Sequence, residues 1–317
     1  MNRFLVTALV IGIVSGCGSS GSAAAPGSAT TPGATTSAAS VQPSAALTFF
    51  PTGAFAALSD DPVPADVAAK FQAALADMAG GGGIAATVMT PYGTWSGAAG
   101  TADGVHDMQP DSQFGIASGT KPIIAAQVMQ LVEAGEISLD APATEYFPAD
   151  FTFDTKGATI RELLSHRSGI PDWYSDDMGE RVAADRSRVW EPDEILALVG
   201  AARRPVGAFE YADTNYTVLG LVIEHVRKRP LVDVLRDGVL RVEGTERLIY
   251  QPDEAPTDSM AMPRGEPQTA LEEGAGFLPS MSEVSSCGPA CAMASDSISL
   301  ARWWRAFCGG ESFRKPC

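Results

Sequence analysis

The chain has 317 residues, of which 45% are hydrophobic and 19% charged, so it is long enough to bury one sizeable core and to carry a small appendage. Its formal net charge is -16 at pH 7. Because nucleic acids and anionic membrane surfaces would repel a chain of this charge, its composition argues against both as electrostatic partners.

The N-terminus has the layout of an export signal. Arg3 precedes an apolar run from Phe4 to Val14, and small residues then lead to Cys17. The run is too short to span a bilayer. The segment VSGC, which ends at Cys17, resembles the bacterial lipobox, in which the signal is cut before the cysteine and that cysteine is lipidated. We expect residues 1–16 to be the signal and Cys17 to anchor the chain on the extracytoplasmic face of the cell membrane. The alternative is ordinary secretion.

Residues 17–60 are expected to form a flexible tether. They are rich in Gly, Ala, Ser, Thr and Pro and carry almost no charge over most of their length. Such a composition cannot bury enough apolar surface to offset the entropy lost on ordering. The folded domain is then expected over residues 61–317. No stretch after the signal has 18 uninterrupted apolar residues, so no later segment is predicted to cross a membrane.

The first predicted elements are a helix and a β-hairpin. Apolar residues at helical spacing predict an amphipathic helix that begins near Pro62 and is ended by the glycines of residues 80–83. The apolar residues of this helix are Val67, Phe71, Leu75 and Met78. Two β-prone runs within residues 84–100 flank Pro91-Tyr92-Gly93, which predicts a hairpin with its turn at those three residues.

Three later segments are predicted to contain helices. Residues 158–170 indicate a short helix closed by a turn, and residues 211–228 indicate a turn that leads into an apolar helix. Residues 297–307 indicate one more helix. Helices are therefore expected to dominate, with strands near the start of the domain. The sequence shows no internal repeat.

A serine and a lysine stand together at the start of a buried helix. Ser118 precedes Lys121 by three residues, and Pro122 opens an apolar stretch that Gly135 ends. This spacing places both side chains on one helical face, within reach of a shared proton. The helix N-terminus would also stabilise an oxyanion. The alternative interpretation is a capping serine followed by a surface lysine.

A second copy of the same spacing tests how specific this motif is. Ser312 and Lys315 are also three residues apart, but they lie in a polar segment without an apolar helix behind it. Sequence context therefore favours Ser118 over Ser312 as the candidate nucleophile.

A second candidate motif is Tyr211-Ala212-Asp213. A tyrosine beside a lysine cation can act as a base, and a short polar residue two positions later can orient the lysine and a substrate. The alternative interpretation is a turn with a helix cap and a core tyrosine. On its own, this motif would favour that structural role.

Three segments, taken together, resemble one family of serine hydrolases. They are IASGTKPIIAAQVMQLVEAGEISLDAPATEYFP, IRELLSHRSGIPDW and FEYADTNYTVLGLVIE, in that order. The family is the β-lactamase and penicillin-binding-protein superfamily, which includes class C β-lactamases, D-alanyl-D-alanine carboxypeptidases and related esterases. The resemblance runs from about Ile84 to Gly310. It implies that Ser118 is acylated, that Lys121 is its proton partner, and that Tyr211 is the general base that later activates water.

The resemblance also implies a fold class and a location for the site. The fold is α+β, with an antiparallel sheet packed by helices beside an all-helical lobe, and the site lies in the cleft between them. The implied substrates are small molecules or cell-wall peptides, and no cofactor is implied.

Two departures from the family pattern affect the expected chemistry. Asp213 stands where the family usually has Asn, and an ionised Asp cannot donate a hydrogen bond to a substrate carbonyl. Its charge also favours the ammonium form of Lys121. Because an ammonium cannot accept a proton, Tyr211 becomes the expected base. The family's third motif, Lys-Thr-Gly or His-x-Gly on a strand, does not occur in the sequence. We therefore expect the C-terminal sheet strands, and one oxyanion donor with them, to be missing.

The cysteines and histidines receive mainly structural interpretations. Four cysteines follow the motifs, and in an exported protein an even number favours disulfides. They are Cys287, Cys291, Cys308 and Cys317, for which local pairing, 287 with 291 and 308 with 317, is one of three connectivities. A zinc site is the minor alternative, and the scattered histidines predict no metal site. His166 is expected to shape a turn, and His106 and His225 to be surface or core residues.

The sequence thus supports two main hypotheses. The first is an extracytoplasmic serine hydrolase that forms an acyl-enzyme on Ser118 and acts on D-Ala peptides, β-lactams or small esters. The second is a non-catalytic or degenerate cell-envelope lipoprotein of the same fold, which the missing third motif favours. An α/β-hydrolase is a distant third, because the sequence has no GxSxG elbow.

Overall fold

A computed structural model describes residues 52–80, 82–200, 208–258, 260–262 and 278–311. The helices, in chain order, are α1 (Thr52–Ala56), α2 (Ala65–Ala79), α3 (Thr120–Glu133), α4 (Ile160–Leu164), α5 (Asp176–Ala184), α6 (Pro192–Leu198), α7 (Thr214–Arg227), α8 (Leu231–Asp237), α9 (Met281–Cys291) and α10 (Ser297–Cys308). The strands are β1 (Gly83–Thr90), β2 (Gly93–Gly100), β3 (Phe114–Gly115), β4 (Ile249–Tyr250) and β5 (Met293–Ser295).

The predicted helix and hairpin at the start of the domain are confirmed. Strands β1 and β2 pair antiparallel with Thr90 opposite Gly93, so Pro91 and Tyr92 form the turn. Helix α2 ends at Gly80, whose φ of 54° is left-handed and suits glycine. The helix packs on one face of the hairpin through Leu75, although Met78, which we expected on its apolar face, is exposed.

Helix α10 covers the other face of the hairpin. Met89 and Ala301 pack together there, and the hydroxyls of Thr87 and Ser297 lie 2.9 Å apart. Because both faces of β1 are covered, its residues are buried on both sides of the strand and do not alternate between core and solvent. The sequence prediction of a helix over residues 297–307 is confirmed and extends by one residue.

The main core is built around α3 and α7. Their buried residues include Ile123, Ile124, Val128 and Leu131 from α3, and Val218, Leu219, Val222 and Ile223 from α7. The N-terminal ends of both helices carry the candidate site residues. A smaller helical cluster joins Trp173, Met178, Trp190 and Ile195. Packing in the main core therefore fixes the positions of α3 and α7 relative to each other.

A second sheet links the early and late parts of the domain. Strand β5 pairs antiparallel with β3 on one side and with β4 on the other. The fold is therefore α+β with antiparallel pairing, as expected. The predicted strands near the start are confirmed, whereas the late strands β4 and β5, which form by long-range pairing, were not predicted.

Among the described residues, regular structure occurs before the expected boundary at residue 61. Helix α1 lies within the segment predicted to be a tether, and Leu58 is buried against Met89. The signal, Cys17 and most of the tether lie outside the described residues, as do Ser312, Lys315 and Cys317. Among the helices of the described ranges, none has the length and apolarity needed to span a membrane.

Candidate active site

The candidate nucleophile stands in a short 3-10 turn at the entrance to α3. This turn covers Ala117–Gly119, and α3 begins immediately after it at Thr120. Ala117 has a φ of 45°, which is uncommon for a residue other than glycine. The Thr120 hydroxyl donates to the Ala117 carbonyl at 2.7 Å and accepts from the Met293 amide at 3.1 Å. Strand β5 therefore braces the turn that presents Ser118 to solvent.

Lys121 is buried one turn below Ser118, with three acceptors around its amine. Its Nζ lies 3.0 Å from Ser118 Oγ, 2.9 Å from the Ala290 carbonyl oxygen and 2.7 Å from Asp213 Oδ1. The Ala290 carbonyl and Ser118 Oγ are at hydrogen-bond distance from this amine, and the Asp213 carboxylate forms an ion pair with it.

Tyr211 reaches the nucleophile from a coil that precedes α7. Its hydroxyl lies 2.7 Å from Ser118 Oγ, and the Lys121 amine lies 4.9 Å from its ring centroid. The side chain is 44% exposed. The alternative interpretation of Tyr211 as a core tyrosine is therefore wrong. Its phenol is instead at hydrogen-bond distance from the exposed Ser118.

Asp213 caps α7 and is directed at the lysine. Its side chain is 15% exposed against 6% for Lys121, so the ion pair between them is largely shielded from water. The Asp213 amide donates to Asp172 Oδ1 at 3.0 Å. Desolvation, and then the nearby charge of Asp213, raise the pKa of Asp172 above its ordinary value. The predicted contact between Asp213 and a substrate stays a prediction.

Sequence reasoning missed three contributors to this site. The Ala290 carbonyl carries no sequence signal, because every residue has one. Tyr216 lies under the Lys121 amine at 5.7 Å, and burial raises the pKa of its phenol to about 12, so it stays neutral. His166 stacks on Tyr211 with ring centroids 4.4 Å apart, although the sequence suggested only a turn there. Its place in the HxSG-like segment was the available signal.

The cysteine predictions are resolved in part. Cys287 and Cys291 form a disulfide within α9, with Cα atoms 4.9 Å apart. Cys308 is half-buried and bonds to no other described cysteine, and its predicted partner Cys317 lies outside the described residues. In the described ranges, no group of three or more His, Cys, Asp or Glu residues is arranged to hold a metal ion.

The assembled geometry suits acyl transfer through a serine. Ser118 is exposed, Tyr211 and Lys121 are hydrogen-bonded to its oxygen, and the 14 residues of α3 direct their N-terminal dipole towards it. The predicted Ser118, Lys121, Tyr211 and Asp213 are thus brought together by the fold. Their catalytic roles remain to be assigned.

Comparison with known proteins places this geometry in a family. Residues 67–312 match the profile of the Beta-lactamase family. Penicillin-binding protein 4 of Amycolatopsis lactamdurans is 33% identical over 155 residues, which cover 48% of this chain and 40% of that protein. Esterase EstB of Burkholderia gladioli is 34% identical over 137 residues, which cover 39% and 35% respectively. The chain therefore spans less than half the length of these two relatives.

Solved structures with the same fold include two that act on D-configured compounds according to their names. The D-amino acid amidase of Ochrobactrum anthropi SV3 aligns with a TM-score of 0.63 and 26% identity, covering 77% of this chain and 72% of that one. A D-stereospecific amidohydrolase from Streptomyces sp. aligns with a TM-score of 0.57 and 25% identity, covering 80% and 75% respectively. On the strength of the family match over most of its length, the chain belongs to the Beta-lactamase family.

Proposed function

We propose that this protein is a serine hydrolase that forms an acyl-enzyme on Ser118 and acts outside the cytoplasm on D-Ala peptides, β-lactams or small esters. The observation that carries the proposal is the position of Ser118 Oγ, 2.7 Å from the Tyr211 hydroxyl and 3.0 Å from Lys121 Nζ. An exposed serine with a phenol and an amine at hydrogen-bond distance is the arrangement that nucleophilic catalysis needs.

In the proposed reaction, Ser118 Oγ attacks the carbonyl carbon of the substrate while its proton passes to the phenolate form of Tyr211. The Lys121 ammonium stabilises the negative charge on both oxygens as it shifts between them. The tetrahedral intermediate then collapses, the bond to the leaving group breaks, and Tyr211 returns the proton to that group. A water deprotonated by Tyr211 then attacks the acyl carbon, the bond from this carbon to Ser118 Oγ breaks, and Tyr211 returns the proton to Ser118 as the acid leaves.

Asp213 favours Tyr211 over Lys121 as the base. A carboxylate 2.7 Å from Lys121 Nζ stabilises the ammonium form, and an ammonium has no lone pair with which to accept the serine proton. Lys121 would then act through its charge. This assignment explains why the tyrosine must lie against Ser118, as it does here.

The substrate classes are suggested by the relatives' names. These relatives are a penicillin-binding protein, an esterase and two D-specific amide hydrolases. All of these names fit attack by an activated serine on a carbonyl carbon. Because the walls of the substrate pocket differ between members of one fold, the fold does not define the substrate. Reaction with amide, lactam and ester probes must therefore be compared directly.

The proposed location is the extracytoplasmic face of the membrane, with Cys17 as lipid anchor, residues 17–60 as tether, and the catalytic domain beyond. The export-signal layout before Cys17 supports this location. The Cys287–Cys291 disulfide supports it independently, because disulfides persist in oxidising compartments. Mass spectrometry of the membrane fraction tests it: a lipid-modified Cys17 at the N-terminus is expected, and an unmodified chain in the medium would contradict the anchor.

The second candidate is a binding protein of the same fold that does not turn over substrate. The Lys121–Asp213 ion pair favours it, because it occupies the amine that could otherwise accept the serine proton. This candidate predicts an intact cleft without a reactive serine.

The deciding experiment is labelling of the mature chain with a fluorophosphonate and, separately, with a fluorescent penicillin, read by intact mass. One adduct per chain is expected, lost in Ser118→Ala. Ser312→Ala is the matched control, because Ser312 has the same spacing to a lysine and should label like the wild type. A folded wild-type chain without any adduct would favour the binding protein.

A further inference from the structure

The candidate base is carried by a segment without regular structure. Residues 208–212 form a coil before α7, in which Phe209 and Tyr211 are both exposed. A phenol on a coil needs other contacts to stay within 2.7 Å of Ser118 Oγ. Those contacts come from His166, which follows α4 and is itself buried.

His166 bonds to the residues on both sides of Tyr211. The Glu210 amide donates to the His166 carbonyl at 2.9 Å, and the Ala212 amide donates to His166 Nδ1 at 3.3 Å. Between these two bonds, the imidazole stacks on the Tyr211 ring at 4.4 Å with an interplanar angle of 24°. One residue thus holds the backbone before the tyrosine, the backbone after it, and the tyrosine ring.

The backbone of His166 adopts a conformation that few residues other than glycine use. Its φ is 53°, in the left-handed region, at the end of the turn that closes α4. Such a conformation is strained for a residue with a Cβ atom and persists where surrounding contacts hold it. Here it lets the carbonyl and the ring of one residue both reach the 210–212 segment.

The proton position on the imidazole follows from these partners. A backbone amide can only donate, so Nδ1 carries a lone pair and the proton is on Nε2. The Asn215 amide nitrogen lies 3.2 Å from the same Nδ1, and Ser168 donates to the Asn215 oxygen, which turns the nitrogen towards the ring. Desolvation, then Lys121, lower the pKa of His166, while Asp213 acts in the opposite direction.

We infer that His166 is a positioning residue that holds the Tyr211 phenol against Ser118 by fixing the 210–212 segment on both sides. The inference rests on the proposed acyl-transfer function and adds a residue to it. His166 touches neither Ser118 nor, in this geometry, a reacting atom. It acts through Tyr211.

The test compares His166→Phe with a matched histidine elsewhere. Phenylalanine keeps an aromatic ring beside Tyr211 but removes the acceptor for the Ala212 amide. His225 also packs against aromatic rings, those of Phe147 and Phe151, but on the opposite part of α7. His225, whose contacts with these rings are edge-to-face, therefore gives in His225→Phe a control for the loss of a histidine packed against aromatic rings.

The measurement is the pH-dependent inactivation of each variant by a fluorophosphonate, separated into kinact and KI, with thermal melting as a check on folding. For His166→Phe we expect kinact to fall about tenfold or more with KI unchanged, which a general loss of structure would not produce. His225→Phe should behave like the wild type. An unchanged kinact in folded His166→Phe would overturn the inference.

A second readout does not need the variant to fold or the serine to react. Nitrogen NMR of the histidines in the wild-type chain, assigned with His106→Ala and His225→Phe, should show His166 protonated on Nε2 alone at pH 7. A protonated Nδ1 would overturn the inference even if labelling succeeds. Absence of labelling in the wild type would instead count against the proposed function.

Discussion

Lys121 Nζ lies 2.7 Å from Asp213 Oδ1, and both side chains are largely shielded from solvent. This ion pair joins the nucleophile helix α3 to the start of α7 and places a fixed negative charge beside the proposed proton-transfer site. Under the proposed mechanism, we therefore expect the identity of residue 213 to affect how fast the serine reacts.

Asp213→Asn is expected to raise reactivity at Ser118. An asparagine keeps an acceptor oxygen for Lys121 but removes the carboxylate charge, and its amide can donate to a substrate carbonyl. We expect fluorescent penicillin to acylate the variant about tenfold faster, equivalent to ~1.4 kcal/mol in the activation free energy. Stopped-flow or gel-based labelling measures the rate. An unchanged or lower rate would contradict the role given to this ion pair.

Tyr211→Phe is expected to abolish most of the reactivity without affecting the fold. The phenol oxygen is the only atom lost, and general-base groups contribute about 10²- to 10⁴-fold to rate. We expect fluorophosphonate labelling of Ser118 to slow by at least about 100-fold, while the melting temperature changes little because Tyr211 is 44% exposed. Tyr174→Phe, an exposed tyrosine outside the serine's hydrogen bonds, is the control. Equal rates in the two variants would exclude Tyr211 as the base.

Reduction of the Cys287–Cys291 disulfide is expected to slow labelling of Ser118. The carbonyl that accepts from Lys121 belongs to Ala290, inside the loop that the disulfide closes. A dithiol, or the double substitution Cys287→Ser and Cys291→Ser, opens that loop. The Ala290 carbonyl is then held less firmly, and so is the Lys121 amine that donates to it. We expect a several-fold lower rate, restored by reoxidation in the first case. Cys308→Ser should have no effect, and an equal loss there would point to a general effect of thiols.

Gly220→Ala is expected to destabilise the fold. A Cβ at this position in α7 would lie 2.2 Å from Pro289 Cγ, and Pro289 lies in the kinked part of α9. Overpacking of this kind costs about 1–3 kcal/mol. Denaturant unfolding measures the change. Gly179→Ala, in α5 with open space around it, should instead be neutral or slightly stabilising. A similar loss in both variants would contradict the contact between α7 and α9.

Asp103→Ala is expected to lower stability in a pH-dependent way. Hydrogen bonds from the His106 amide and then its imidazole lower the pKa of Asp103 from 3.8 to about 2. A lowered folded-state pKa contributes stability above about pH 4 that is lost as the pH falls towards 2. The melting temperature should therefore drop by about 2 °C at pH 7 and less at pH 2.5. Asp150→Ala is the control, and a pH-independent difference would contradict this assignment.

The local elements of the fold were predictable from the sequence. The 90–93 turn, the helix that follows Ser118 and the helix that follows Asp213 all arise from patterns within a few residues of each other. Apolar periodicity, glycine at a left-handed position and proline in a first turn act over single turns of chain. The pairing of Ser118 with Lys121 belongs to this class, since three residues on a helix fix their proximity.

Two late strands were missed by the sequence prediction for a physical reason. Strands β4 and β5 have two and three residues, too few for an alternating pattern to emerge, and they exist because β5 pairs with β3 and β4 at once. Short strands of this kind are stabilised by long-range hydrogen bonds, which a local pattern does not encode.

What the sequence alone determined is the set of reactive side chains and, through their order, the family to which they belong. Only the tertiary structure decided which groups meet. Tyr211 is 93 residues from Ser118 along the chain, and the Ala290 carbonyl is 169 residues from Lys121. Packing of α3, α7 and α9 brings the two atoms of each pair within 3 Å of each other. It also places His166, for which the sequence predicted only a turn, against the ring of the proposed base. Such contacts depend on the summed burial of distant apolar surfaces, which no single stretch of sequence contains.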